Sequence, residues 1–160
     1  MENVLSRILE EMLDDSDRTL SFAHLIYAKL FVAETTQIMD MYKSKDMVIT
    51  LNKARVEANN YILRIMKLLI SIDDTFTNAE LYFYQKSSGQ EIDGDELYEI
   101  TNGGGESRFI QHIFSEIAHS SYEVQLYTLM FSMAFCAYTD NLSEASANLL
   151  NSLVSFIVEA

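Results

Sequence analysis

The chain has no Pro, no Trp, a single Cys and only five Gly in 160 residues. Without Pro, no position loses its backbone donor, so long helices can run unbroken. One cysteine excludes an internal disulfide and suits a reducing, cytoplasmic setting. Cys136 lies in the apolar run from Phe131 to Tyr138, with no His beside it in sequence. It reads as a small buried hydrophobe, not a nucleophile. No uncharged apolar stretch approaches the ~18 residues that a membrane span needs. The segment from Met1 to Arg7 has no basic stretch leading into a long apolar run, so no signal peptide is expected.

Positive charge is scarce too. Eleven Lys and Arg face 24 Asp and Glu, for a net charge of -13. From Ser87 to Ala160, Arg108 is the only basic residue. Phosphate contacts need Lys and Arg, so nucleic acid is not an expected partner. An anionic membrane surface is excluded on the same ground. A basic partner protein or a cation is favoured, although an acidic surface also serves solubility alone. Three of the five Gly fall together at Gly103, Gly104 and Gly105. No Gly-Lys-Ser/Thr ending follows them and no strand precedes them, so they do not read as a phosphate loop.

What is present is helical periodicity. Hydrophobic residues make up 49% of the chain, enough for one folded domain. Val4, Leu5, Ile8, Leu9, Met12 and Leu13 mark a short amphipathic helix over 3–13, and Asp14 to Asp17 offer a turn and a cap. A long helix is predicted over 18–43, with its stripe on Leu20, Ala23, Ile26, Tyr27, Leu30, Phe31, Ile38, Met39 and Tyr42. Leu25 and Val32 are expected to widen that stripe. Ser44-Lys45-Asp46 either hinges a hairpin or bends one continuous helix. A second long helix is predicted over 47–72, polar and arm-like at first, strongly apolar from Tyr61 to Ile70. Thr77-Asn78-Ala79-Glu80 is a capping box, with Phe76 and Leu81 placed as its hydrophobic staple. Asp93 is expected to cap a short acidic helix ending near Ile100.

Phe109, Ile110, Ile113, Phe114 and Ile117 face inward on a helix over 107–119. Ser120 to Glu123 reads as another capping box. It opens a helix so apolar, from Val124 through Leu126 to Ala137, that it is expected at the centre of a bundle. On the last helix, Ala147, Leu150, Leu153, Val154, Ile157 and Val158 are expected to face the core.

Two turns repeat. Asp74-Thr75-Phe76-Thr77-Asn78-Ala79-Glu80 is echoed by Asp140-Asn141-Leu142-Ser143-Glu144-Ala145-Ser146, at one offset of 66. Each follows an apolar helix and opens another. If pseudo-symmetry brings the turns together, Asp73, Asp74, Glu80, Asp140 and Glu144 offer hard oxygen ligands for a divalent cation. The alternative is plain: Asp before a capping Ser or Thr is ordinary turn chemistry. The spacing is not that of an EF-hand loop.

The repeated turn resembles the tellurite-resistance TerB-like family over residues 58–158. That resemblance implies a small all-helical protein with an internal duplication, with divalent metal at the acidic turns and a bacterial or phage stress or defence setting. Thr75 and Asn141 stand where the family usually has Gly, and Ser146 stands in place of a second-repeat Glu. The chain is also similar to the apoptosis-regulator-like helical bundles of poxviruses. The shared features are an apolar helix ending in Asp73-Asp74 and a long apolar helix near the C-terminus. That resemblance implies binding to other proteins, although the Trp-Gly-Arg motif is absent.

His112, Glu116 and His119 share one helical face by their spacing of four and three. Glu116-Ile117-Ala118-His119 has the Glu-x-x-His form of di-iron bundles, which require a second copy that the chain lacks. The simpler reading is a surface face with His119 at a helix end. No Gly-x-Ser-x-Gly elbow occurs. Of Tyr82 and Tyr84, one is expected at the surface.

The sequence therefore points to an all-α single domain over 1–160. A long N-terminal helical hairpin, 1–57, packs on a duplicated helical unit, 58–160. The expected function is a non-enzymatic protein-binding module, an adaptor or inhibitor that engages a basic partner. A divalent-metal-binding stress protein is the alternative, and self-association stays open.

Overall fold

The computed structural model describes residues 16–42, 47–71, 76–103, 106–140 and 144–159. They form seven helices and, among the described residues, no strand. These are α1 (Ser16–Tyr42), α2 (Met47–Ile70), α3 (Asn78–Ser88), α4 (Gly94–Thr101), α5 (Ser107–Ala118), α6 (Tyr122–Asp140) and α7 (Glu144–Glu159). The all-α reading holds. The helix predicted over 3–13 lies outside the described residues, as do the 43–46 connection and Asp14 and Asp15.

α1 and α2 pack side by side, and Tyr27 Oη donates to Asn59 Oδ1 across them at 3.3 Å. The two helices therefore form a hairpin and not one continuous rod. The first half of α2 touches α1 through a narrow stripe: Ala54 and Ala58 are fully buried against Ile38. Thr50 is buried as well, whereas Lys53, Arg55, Val56 and Glu57 stay open, with Val56 62% exposed.

α6 is the centre of the bundle. It packs on α1, α2, α3, α5 and α7. From Phe131 to Ala137 every side chain is buried. Phe131 stands 5.4 Å from Phe83 and 6.1 Å from Tyr27, centroid to centroid, and Phe135 meets Phe83 edge-on at 5.3 Å. Such tilted pairs add to the burial itself. Cys136 is fully buried in this same core. All seven helices contribute to one hydrophobic cluster.

Local chemistry sets the helix starts. Thr77 Oγ1 accepts from Glu80 N, and Glu80 Oε1 accepts from Thr77 N at 2.8 Å, so the predicted box forms. Phe76 and Leu81 both lie against Gly94, where a Cβ would sit 3.5 Å from Leu81 Cδ2 and 3.9 Å from Phe76 Cε1. Asp93 Oδ1 accepts from Glu96 N at 2.8 Å and caps α4 as expected. α3 ends on Gly89 at φ +71°, whose N–H donates to Gln85 O.

The second predicted box does not form. Ser121, not Ser120, caps α6: its Oγ accepts from Val124 N at 3.3 Å. Glu123 is then one residue too early to reach back. The Ser121 N–H that a box would satisfy instead donates to Gln37 Oε1 of α1. Ser120 Oγ turns the other way and donates to Glu116 O.

Four apolar assignments are corrected. Leu25, Val32, Leu126 and Val154 are 52%, 64%, 37% and 41% exposed. Each sits beyond the edge of its helix's buried stripe, where no helix among the described residues covers it. α1 reaches its several neighbours through Ala23, Ile26, Tyr27, Leu30 and Ala33 instead. Tyr82 is 44% exposed and Tyr84 is buried.

Candidate functional site

The repeated acidic turns come first. Asp73 and Asp74 lie outside the described residues, and so do Asn141 to Ser143. Asp140 ends α6, and its side chain is likewise outside the description. Glu80 is 2% exposed, and its Oε1 accepts from both Thr77 N and Thr77 Oγ1. A carboxylate there also suits the positive end of α3. Glu144 is the exposed first residue of α7. The starts of α3 and α7 keep the 66-residue offset. Among the described residues, no three His, Cys, Asp or Glu come together as a metal site.

His112, Glu116 and His119 do share the outer face of α5, but Glu116 is committed elsewhere. Arg64 of α2 grips it with two nitrogens: Nε donates to Oε2 at 3.3 Å and Nη2 to Oε1. A two-point Arg–carboxylate pair is stronger and more directional than a single contact. His112 Nε2 stands 4.0 Å from Glu116 Oε2 with its side chain 71% exposed. His119 Nδ1 lies 2.7 Å from Ser115 O, so Nδ1 carries the hydrogen and donates.

Around this pair the helices enclose a feature that no single stretch of sequence displays. A cleft of about 430 Å³ opens where α1, α2 and α5 meet. Glu34 and Gln37 line it from α1, Glu57 and Arg64 from α2, Glu116 and His119 from α5. Ile38 and Met41 add an apolar wall. Glu34 is the unusual member. It occupies the buried stripe of α1, one turn after Leu30 and one turn before Ile38, and is only 5% exposed. Its Oε2 accepts from Gln37 Nε2 at 3.4 Å. Among the described residues its Oε1 accepts no hydrogen bond.

Burial pushes the Glu34 carboxyl up to about 7, helped by the negative charge of Glu116. Arg64 pulls the other way, and Glu57 adds a smaller upward push. Beneath the cleft, Tyr61 is fully buried with its hydroxyl 2.9 Å from Thr128 Oγ1. Burial holds that phenol well above its ordinary range. The cleft thus carries three carboxylates against one guanidinium that is already engaged by Glu116.

One sign of it was visible in the sequence. Ile26, Leu30, Glu34 and Ile38 recur at a spacing of four, and all four are buried. A charge within such a stripe marks a buried carboxylate. Glu57, Arg64 and Glu116 carried no such mark, because only the packing of α2 and α5 brings them to it.

A second depression adjoins the first and shares Gln37 and Met41 with it. Asp40, Tyr122 and Glu123 also line it. Met41 and Tyr122 are 76% and 75% exposed. No helix among the described residues is long and apolar enough to cross a membrane. No family model, curated protein or solved structure matches this chain.

Proposed function

We propose that the protein is a small, acidic, non-enzymatic protein-binding module, an adaptor or inhibitor, working in the cytoplasm. The carrying observation is the joined surface of α1, α5 and the start of α6. There an acidic cleft runs into a shallow depression edged by exposed Met41 and Tyr122. Met and Tyr are enriched where proteins meet, and flanking carboxylates favour a basic partner. The net charge of -13 would speed the encounter with such a partner. A stress or defence role in bacteria or phage follows only from the TerB-like resemblance.

The test is selection from a displayed library of random peptides. The expected winners combine Lys or Arg with apolar residues, bind more weakly in high salt, and lose binding to Met41→Asp and Tyr122→Asp variants. Selection of no peptide, or of peptides indifferent to both substitutions, would sink the reading. The divalent-cation alternative predicts a different result. Calcium, magnesium, manganese or zinc would raise the unfolding midpoint, and an Asp74→Ala, Asp140→Ala variant would lose that rise.

A further inference from the structure

The geometry points to the Glu34 cleft as a receptor for a single organic cation, the ammonium group of a partner's lysine side chain. The inference rests on the protein-binding reading and specifies the chemistry at its centre. Glu34 is nine-tenths buried, lines the cleft, and leaves Oε1 without a hydrogen bond among the described residues. Arg64 acts on it only from a distance, and a buried carboxylate with an unfilled acceptor favours a donor that carries positive charge.

Three observations choose the ligand. An anion finds little welcome, because Arg64 already spends two of its N–H groups on Glu116. A metal ion finds no set of three ligands among the described residues. A lysine fits on both counts: its ammonium brings donors to Glu34, and its methylene stem can lie along Ile38 and Met41. Glu57 and Glu116 supply further negative charge from α2 and α5.

Docking is coupled to a proton. Only ionised Glu34 pairs with the ammonium, and near neutrality the free protein divides between the two forms. Binding therefore expels the carboxyl proton to solvent. Scaling affinity by the ionised fraction gives a gain of about tenfold from pH 6 to pH 8. Four other groups face Glu34 across the cleft. They are Glu57 and Arg64 from α2, and Glu116 and His119 from the α5 side. His119→Gln removes any share of that imidazole from the pH dependence.

The experiment uses the intact chain and n-butylammonium chloride as the lysine mimic, with sodium chloride as the ionic-strength control. Carboxyl carbon NMR follows Glu34 directly. Saturation with butylammonium should lower its titration midpoint, and affinity should rise about tenfold from pH 6 to pH 8. Glu34→Gln, which keeps the shape of the protonated acid, should fold and bind at least tenfold more weakly at pH 8. A pH-independent affinity, unchanged binding by Glu34→Gln, or no binding beyond the sodium control would each overturn the inference. If the cleft fails while peptide selection still depends on Met41 and Tyr122, the protein-binding reading stands without it. If the mimic binds but no peptide is selected, the cleft stands and the wider reading falls.

Discussion

Replacing Glu34 by Gln should make the protein more stable at neutral and alkaline pH, although the substitution falls in a polar contact. The folded carboxyl titrates at about 7, against 4.5 for an ordinary Glu. Between those values the folded state holds a proton that the unfolded chain has lost. The folded state binds more protons there, so stability falls as pH rises through this window. Below it the two states are alike, and above it the cost is fully present. Integrated from pH 5 to pH 8, the Glu34 contribution is a loss of about 2.5 kcal/mol. For a chain of this length that corresponds to roughly 5–10 °C in midpoint.

The amide of Gln has no such titration and can still accept from Gln37. Urea unfolding of both proteins, followed by circular dichroism at several pH values, gives the comparison. All other carboxylates titrate in both chains, so the difference between the two curves isolates Glu34. The expected difference is small at pH 5 and grows to about 2.5 kcal/mol larger at pH 8, in favour of the variant. Parallel curves would show that Glu34 is not a buried, raised carboxyl, and the cleft argument would go with it.

Three further substitutions probe the scaffold, two beneath the cleft and one at the end of α3. Tyr61→Phe strands the Thr128 hydroxyl, which is fully buried, and should cost about 1–3 kcal/mol in urea melts. Adding Thr128→Val removes the stranded group and should recover most of that loss, whereas additive losses would deny the pairing. Gly89→Ala should cost about 1–2 kcal/mol from backbone strain alone, because its φ is +71° and nothing lies within 4 Å of the added methyl. A neutral thermal shift for Gly89→Ala would contradict that left-handed cap.

The helices were legible because their signals are local. The Thr77 box, the Asp93 cap and the stripes of α1 and α5 need only neighbours within one turn. The shift of the α6 cap from Ser120 to Ser121 was not legible, because Gln37, far away on α1, takes the N–H that a box would have satisfied. Leu25 and Val32 misled for a similar reason: apolar character says that a residue can be buried, not that a helix lies opposite it. The cleft was the least legible part. The place of Glu34 within a buried stripe went unread, and Glu57, Arg64 and Glu116 look like ordinary surface charges until α2 and α5 are packed. The acidic turns repeat plainly in sequence, yet Glu80 proves to be busy capping α3, and Asp73 and Asp74 lie outside the described residues.

The pairing of the first helix with the sixth also sets the order of assembly. Gln37 and Ser121, which join them, are 84 residues apart, and Tyr61 meets Thr128 across 67. Helical proteins usually fold quickly on short-range contacts; here the central contacts must close long loops first. During synthesis α1 leaves the ribosome long before α6, with Ile26, Tyr27, Leu30 and Glu34 not yet covered. The α1–α2 hairpin can shelter only part of that face. Full protection must therefore arrive late and all at once, and pulse-labelled hydrogen exchange should show α1 and α6 becoming protected in the same step.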